Sequence, residues 1–294
     1  MLRKDSVFQK IAYWYERTMA PLADGHLCVT KAMKDFLIDH FGVVREISVL
    51  YDCPPGMFRP LTIEEQHEAM LRIQADLRCP WTKELTDKET FLTEERRKGE
   101  IVYRKGRPAL ITSSTSWTED EDFGILLDAL VELDHKLDNL RVLVLVTGKG
   151  PMKEMFEEKI SKLRLENVFI DTLWLAPRDY PKLLACADVG ISLHGSTSGK
   201  DLPMKVLDLF GCETPVCALH FDCISELLQD NVNGRVFYTS EELVERLHEL
   251  LMPLQGNQAA PHSLGALSAF SENIKGQKRW RENWMEHAMP LLTS

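Results

Sequence analysis

Lys205 and Asp208 stand three residues apart in a chain of 294 residues, a spacing that puts both side chains on one face of a helix. An ammonium group in a first helical turn, beside free backbone N–H groups, can hold phosphate oxygens. A carboxylate one turn further on can accept hydrogen bonds from the two hydroxyls of a ribose. The surrounding stretch, Ser198-Gly-Lys-Asp-Leu-Pro-Met-Lys-Val-Leu-Asp-Leu-Phe-Gly-Cys-Glu-Thr-Pro-Val216, reads as a loop, a helix opened by Pro203 and a buried strand starting at Pro215. Pro at a first helical position sacrifices no hydrogen bond. Asp201 is placed to cap the free N–H groups or to contact a sugar. A solvated amphipathic helix with ordinary caps would carry the same residues, so this stretch alone does not imply a nucleotide.

Other candidates lie in loops that follow strands. Thr147-Gly-Lys-Gly-Pro151 ends a strand and opens a helix. Gly148 and Gly150 would let backbone approach a ligand closely, and Lys149 would add positive charge. The spacing fits neither a P-loop nor G-x-G-x-x-G, since residue 153 is Lys, and a tight turn explains it equally well. Ser113, Ser114, Thr115 and Ser116 set four hydroxyls beyond another strand, where they could hold a diphosphate without a metal. The acids that follow, Glu119, Asp120, Glu121 and Asp122, suit the start of a helix, and any of them is a candidate base. His194 sits at the same rim and is a second candidate base or a phosphate or sugar contact. Trp174 and Leu175 could frame a flat nucleobase, with core packing as the competing role.

The elements that would position these loops alternate. His26–Thr30 and Glu46–Tyr51 read as strands around a helix from Lys31 to Asp39. A linker rich in proline, Asp52 to Pro60, follows, then a polar helix from Thr62 to about Leu77. Residues 78–107 are charged and lack periodicity, which predicts a mobile surface excursion. From Pro108 the order is strand 109–113, helix 121–137, strand 141–146, helix 152–163, strand 168–170, helix 180–186 and strand 189–193. The helix after Pro203, strand 215–218, helix 224–229, strand 234–237 and helix 240–251 complete it, and a closing helix contains Trp280, Trp284 and Met285. Such alternation means an α/β fold with a doubly wound, Rossmann-like parallel sheet, which binds ligands beyond the carboxyl ends of its strands. Three segments follow: 1–60, 61–107 with its charged insertion, and a doubly wound domain over 108–294.

Composition narrows the partners. A net charge of −10, from 45 acidic and 35 basic residues, argues against a nucleic-acid partner. Seven scattered cysteines without a C-x-x-C pair suit buried thiols in a reducing compartment. Nine histidines without metal-site spacing predict no metal. No apolar run approaches the roughly 18 residues of a spanning helix, and the first residues lack the apolar centre of a signal peptide. Phe8, Ile11, Trp14, Tyr15 and Met19 recur at near-helical spacing. They predict a helix that faces a core or, less commonly, meets a membrane.

The order of these pieces resembles the C-terminal half of GT-B glycosyltransferases. Ser113–Trp117 stands for the loop before a long helix, Gly148–Pro151 for G-x-G-P, and Ala187-Asp-Val189 for the strand ending in "ADV". Asp201–Asp208 matches the acidic nucleotide-binding helix and Thr214-Pro-Val216 the "xPV" that follows. The stretches at 113–123, 147–151 and 201–212 are similar to the chitobiosyldiphosphodolichol beta-mannosyltransferase family. Tyr15-Glu-Arg17 and Leu27-Cys-Val-Thr-Lys-Ala-Met33 resemble the last part of that family's N-terminal domain. The resemblance implies an inverting transfer of the first beta-1,4-linked mannose from GDP-mannose to dolichol-linked chitobiose. It also implies work at the cytosolic face of the endoplasmic reticulum membrane, with other dolichol-pathway mannosyltransferases as possible partners and no cofactor or metal. Many retaining GT-B enzymes carry two acids eight positions apart. Here Lys200 stands eight before Asp208 and Asp201 seven before, so only the ribose role passes to Asp208. The match also implies that the chain begins near the end of an N-terminal Rossmann-like domain, without the family's membrane anchor and most of its acceptor side. That leaves the base unassigned and predicts a chain that binds donor but turns over poorly alone. A nucleotide-binding or interaction module without catalysis, and a GT-B enzyme of other chemistry such as a sugar-nucleotide epimerase, remain alternatives.

Overall fold

Runs of Val, Leu and Ile such as Val142-Leu-Val-Leu-Val-Thr147, buried at all six positions, can persist only where both faces of a sheet are covered. They form one parallel sheet in the order β10-β9-β8-β5-β6-β7. Its strands are β5 (Ala109–Ser114), β6 (Val142–Thr147), β7 (Val168–Leu173), β8 (Val189–Ser192), β9 (Val216–Leu219) and β10 (Gly234–Phe237). The computed structural model describes residues 7–196 and 198–293. Ile111 pairs with Val144 on one side and Val189 on the other, so the chain reverses its winding direction between β5 and β8. That reversal opens a crevice beyond the carboxyl ends of these strands.

Helices cover both faces. On one, α4 (Phe123–Lys136), α5 (Lys153–Ser161), α8 (Ser240–Leu251) and α9 (Gly265–Ile274) bury Leu126, Leu130, Phe156, Leu247 and Leu267 against the strands. On the other lie α3 (Ile63–Gln74), α6 (Tyr180–Cys186) and α7 (Met204–Gly211), with Met70, Leu183 and Val206 fully buried. The helix read over 224–229 is a single 3-10 turn, Ile224–Glu226, and α9 lies beyond the elements legible in the sequence.

Residues 78–107 are packed rather than loose. They include the hairpin β3 (Thr93–Glu95) and β4 (Ile101–Tyr103), paired antiparallel. Phe91 and Leu92 are buried in the same cluster as Met70, Ile73 and Leu143. The Thr90 and Thr93 hydroxyls bond each other at 2.8 Å, and His67 Nδ1 lies 2.8 Å from Thr93 Oγ1. Two adjacent apolar residues among many charges show no period, which is why this anchor escapes pattern reading.

Before this unit, α1 (Val7–Met19), β1 (Gly25–Cys28), α2 (Lys31–Phe41) and β2 (Glu46–Val49) make a small parallel pair with its crossover helix. α10 (Trp280–His287) and α11 (Met289–Thr293) return to it, with Asn283 Nδ2 donating to Tyr51 O at 2.6 Å and Ser48 Oγ to His287 O at 2.8 Å. The expectation of a core-facing α1 fails. Tyr13 meets Phe41 edge-on, but Val7, Phe8, Ile11, Trp14 and Tyr15 are exposed, because the apolar stripe lies off the face that meets α2. Among the described residues no helix is long and apolar enough to cross a membrane.

One ion pair ties the sheet to the chain beyond α8. Arg107 and Asp188 are 2% and 0% exposed. The guanidinium donates to both carboxylate oxygens, at 2.8 and 2.6 Å. Asp188 also accepts from Leu110 N and His262 N, and Arg107 Nε reaches Ala259 O. Removing one member of such a pair leaves a buried charge unpaired. We expect Asp188→Ala to cost about 3–5 kcal/mol, read as a fall in the urea midpoint with an unchanged slope.

Candidate functional site

The loops after β5 and β8 meet across the crevice, where Glu121 and His194 form an isolated antiparallel bridge. Glu121 is 5% exposed. One of its carboxylate oxygens accepts from Thr115 Oγ1 at 2.6 Å, from Ser116 N at 2.7 Å and from Ser116 Oγ at 3.2 Å. The other is ion-paired with Lys205 of α7. Burial pushes the Glu121 carboxyl up, but the bonds from Lys205 and Thr115 outweigh it and hold the group below its ordinary value. Glu121 is therefore a strut rather than a first-turn helix acid. The helix-start role falls to Asp122, whose Oδ1 accepts from Gly124 N at 2.9 Å. Glu119 is exposed, and Asp120 is exposed and held below the usual carboxylate range by a hydrogen bond from Thr118.

The four hydroxyls of 113–116 do not act together. Ser113 is the fifth residue of β5, buried, and donates to Ile191 O at 3.0 Å. It is spent inside the sheet and cannot face a ligand. Thr115 is spent on Glu121 and on accepting from Trp117 N at 2.9 Å. Ser114 does face the crevice. Its hydroxyl lies 3.0 Å from the Tyr180 phenol and accepts from Thr147 Oγ1 at 3.0 Å. Trp117 plugs the loop into the core against Phe123 and Phe156.

Gly148 and Gly150 make room for protein rather than ligand. A Cβ on Gly148, whose φ is +141°, would sit 1.7 Å from Thr115 O, and one on Gly150 would sit 1.8 Å from Ser116 O. The loops after β5 and β6 thus press backbone on backbone. Lys149 lies 4.1 Å over the ring of Trp174, a cation–π contact at the surface. Trp174 is 61% exposed, so it is not a core residue.

A cavity of about 280 Å³ opens where these loops converge. Ser114, Thr115, Thr147 and Gly148 line one wall, Trp174, Leu175, Pro177 and Tyr180 another, and Lys205 closes one side. Sequence reasoning missed Tyr180, Thr147 and Pro177. Tyr180 reads as an ordinary helix start, and only the fold brings its phenol to Ser114. Burial pushes that phenol up to about 12, with the Asp208 charge adding to the rise. Asp208 lies one turn beyond Lys205 and accepts no hydrogen bond among the described residues. Burial alone raises it to about 6.

Asp201 does not cap α7. Pro203 takes the cap position, extended and without a side-chain bond, rather than the first helical one. Asp201 Oδ1 instead accepts from Ser196 Oγ and from Ser198 Oγ, the latter at 2.7 Å. Burial raises its carboxyl, and these two hydroxyls bring it below the ordinary value. His194 Nε2 lies 3.3 Å from Asp201 Oδ2, but the nitrogen is buried without hydrogen-bond geometry to any described partner. The ring packs edge-on against Phe221. The structure thus gathers Ser114, Thr115, Gly148, Trp174, Leu175 and Lys205 at one cavity, keeps His194 and Asp201 together on the neighbouring loop, and sets Ser113 apart.

A reversal-point crevice is general to doubly wound α/β folds, and the fold here is that of GT-B glycosyltransferases. Solved structures share the fold at low identity. The *Anabaena* Alr3699/HepE structure in complex with UDP-glucose matches with a TM-score of 0.67 at 15% identity, over 98% of this chain and 69% of that one. The *Thermosynechococcus elongatus* sucrose-phosphate synthase matches with a TM-score of 0.60 at 12% identity, over 99% of this chain and 63% of that one. The family model for glycosyl transferases group 1 matches residues 107–252. The *Arabidopsis thaliana* protein named UDP-glycosyltransferase TURAN is 42% identical over 99% of this chain and 67% of its own length. The mouse chitobiosyldiphosphodolichol beta-mannosyltransferase is 40% identical over 96% of this chain, and the human one 39%. The chain belongs to this family of group 1 glycosyltransferases, and it spans 59% of the mouse protein's length and 61% of the human one's.

Replacing Glu121 tests the strut. Its folded pKa is depressed, so its contribution to stability is present above the ordinary value of 4.5 and is lost as pH falls through the folded value. Glu121→Gln should lose about 1–3 kcal/mol at pH 7, and the gap from the parent chain should close in urea titrations at acid pH.

Proposed function

We propose that the chain carries the donor site of a mannosyltransferase that uses GDP-mannose and delivers mannose, with inversion, to dolichol-linked chitobiose. The names of the mouse and human relatives support this reaction. The observation that carries the site is one cavity lined by Trp174 and Lys205, with Asp208, outside that lining and without a hydrogen-bond partner among the described residues, one helical turn further. A flat ring suits a nucleobase, the ammonium a phosphate and the carboxylate a ribose diol. His194 and the loop to Asp201 border the diphosphate and the sugar. The lipid-linked acceptor in the relatives' names supports work at the endoplasmic reticulum membrane.

In the reaction, an acceptor hydroxyl attacks the anomeric carbon on the face opposite the phosphate. The bond to the phosphate oxygen breaks, GDP departs with its electron pair, and the hydroxyl proton passes to a base. Lys205 and the first turn of α7 stabilise charge that builds on the diphosphate, in a partly desolvated crevice where such charges act strongly. Glu121 holds Lys205 in place without itself moving a proton, because it stays ionised and paired. No metal enters this scheme.

The plant relative's name favours a second reading, in which the donor carries uridine. Calorimetric titration with GDP, UDP and ADP, without added metal, separates the two. GDP should bind best, whereas preference for UDP favours the second reading and binding of none removes the site.

Asp208 gives a pH signature. Its folded pKa is raised, so the carboxyl costs no stability below the ordinary 3.8 and costs most above about 6. Asp208→Asn should therefore raise the melting temperature at pH 7.5 and leave it nearly unchanged at pH 4. The parent chain should bind GDP more tightly as pH rises from 5 to 7. The variant should bind more weakly at pH 7 and show a smaller rise, left to the terminal phosphate of GDP, which itself ionises at about pH 6. A stabilised variant with undiminished GDP affinity would assign Asp208 a role other than ribose contact.

A further inference from the structure

The loop from His194 to Asp201 is held from outside its own domain. Thr30, fully buried, caps α2 by accepting from Met33 N at 3.0 Å, and its hydroxyl donates to Lys200 O at 2.6 Å. The Lys200 ammonium lies 4.8 Å over the ring of Phe36, on the same helix. One residue on, Asp201 O accepts from Cys223 Sγ at 3.4 Å. Glu226, a turn beyond Cys223, accepts from Lys31 N at 2.7 Å and Ala32 N at 2.9 Å, and from the Tyr51 phenol at 2.7 Å. The first turn of α2 is thus satisfied jointly by its own Thr30 and by a carboxylate of the other unit. Its orphan N–H groups leave few other ways to seat that end. Meanwhile the side chain of Asp201 organises the loop interior through the hydroxyls of Ser196 and Ser198.

We propose that Thr30 is a positioning residue for the donor site: the tip of α2 fixes Lys200 and Asp201, so that ligand binding at this loop and docking of the N-terminal unit stabilise each other. The inference rests on the donor-site reading, in which the loop borders the diphosphate. Thr30 touches no ligand and acts through one backbone carbonyl. Coupling of this kind is reciprocal. What happens at the loop must be felt in α2, and the reverse.

The test joins amide hydrogen exchange to titration. In the parent chain, saturating GDP should slow exchange at the first-turn amides of α2, Lys31 to Met33, as well as in the loop. This needs no variant, so it stands even if a substitution fails to fold. Thr30→Val removes both the bond donated to Lys200 O and the cap accepted from Met33 N, at nearly constant volume. It should speed exchange over Gly199 to Leu202 and weaken GDP on the order of tenfold, with guanosine affinity unchanged. Thr30→Ser, which keeps the hydroxyl, should restore GDP affinity. Protection confined to the loop would overturn the proposal. So would a Thr30→Val chain whose loop exchange is unchanged, or one that loses GDP and guanosine equally. If the parent chain binds no GDP, the donor-site reading fails instead, and loop exchange in Thr30→Val against Thr30→Ser still decides the latch.

Discussion

The Glu121 carboxylate holds the crevice in shape. It lies where the loop after β5 meets the loop after β8 and the start of α7, segments joined by backbone only through the single Glu121–His194 bridge. A buried carboxylate costs several kcal/mol unless its oxygens are fully engaged. Here they take two hydroxyls, a backbone N–H and an ammonium. The arrangement is all or nothing: each donor is held by the charge, and the charge is tolerated because of the donors. It also sets what remains for a ligand. The Thr115 hydroxyl is spent on the carboxylate, whereas Lys205, paired with the same group, still lines the cavity, so the positive charge at the site is one that a fixed anion already aims.

Much of this was legible in the sequence, and the limits have physical causes. The Val- and Leu-rich strands announced themselves because a sheet covered on both faces admits little else. Their alternation with helices set where the loops beyond the strands must fall, and Gly148 and Trp174 lie in such loops, beside Ser114 at the end of β5 and Lys205 in the first turn of α7. Individual side-chain roles were less legible, because they depend on which atoms face each other. Asp201 occupies a plausible cap position, yet two serines from its own loop reach it first. Ser113 and Ser114 are neighbours of one type, but strand alternation sends one into the sheet and the other to the cavity. Tyr180 carried no signal, since its phenol gains a partner only when β5 and α6 are brought together.

Stability and site chemistry pull apart in α7. Val206, Leu209 and Phe210 are buried and anchor the helix for reasons any helix would share. Asp208, on the same turn, sits in surroundings that raise its carboxyl to about 6, with no donor among the described residues to compensate. A core position chosen for stability would be apolar or paired. A carboxylate left in this state is what a site requires when the hydrogen bonds are to come from a ligand, and it places the local cost on the helix that also presents Lys205.

The two halves of the crevice are built with different stiffness. On the β5–β6 side, Gly148 and Gly150 lie against the carbonyls of Thr115 and Ser116 so closely that a single methyl group would collide. Excluded volume fixes these loops, and volume does not yield in small steps. On the β8 side, the described residues from His194 to Asp201 are held by the backbone bridge to Glu121 and by hydroxyl and thiol hydrogen bonds, each worth only about 0.5–1.5 kcal/mol net, with one of them, Thr30 to Lys200, supplied by the N-terminal unit. A nucleoside seated between Ser114 and Trp174 would meet a preformed wall, whereas a group held near His194 would meet a segment whose position other parts of the molecule can adjust. That asymmetry follows from the glycines and serines themselves, which set where the backbone is locked and where it is only held.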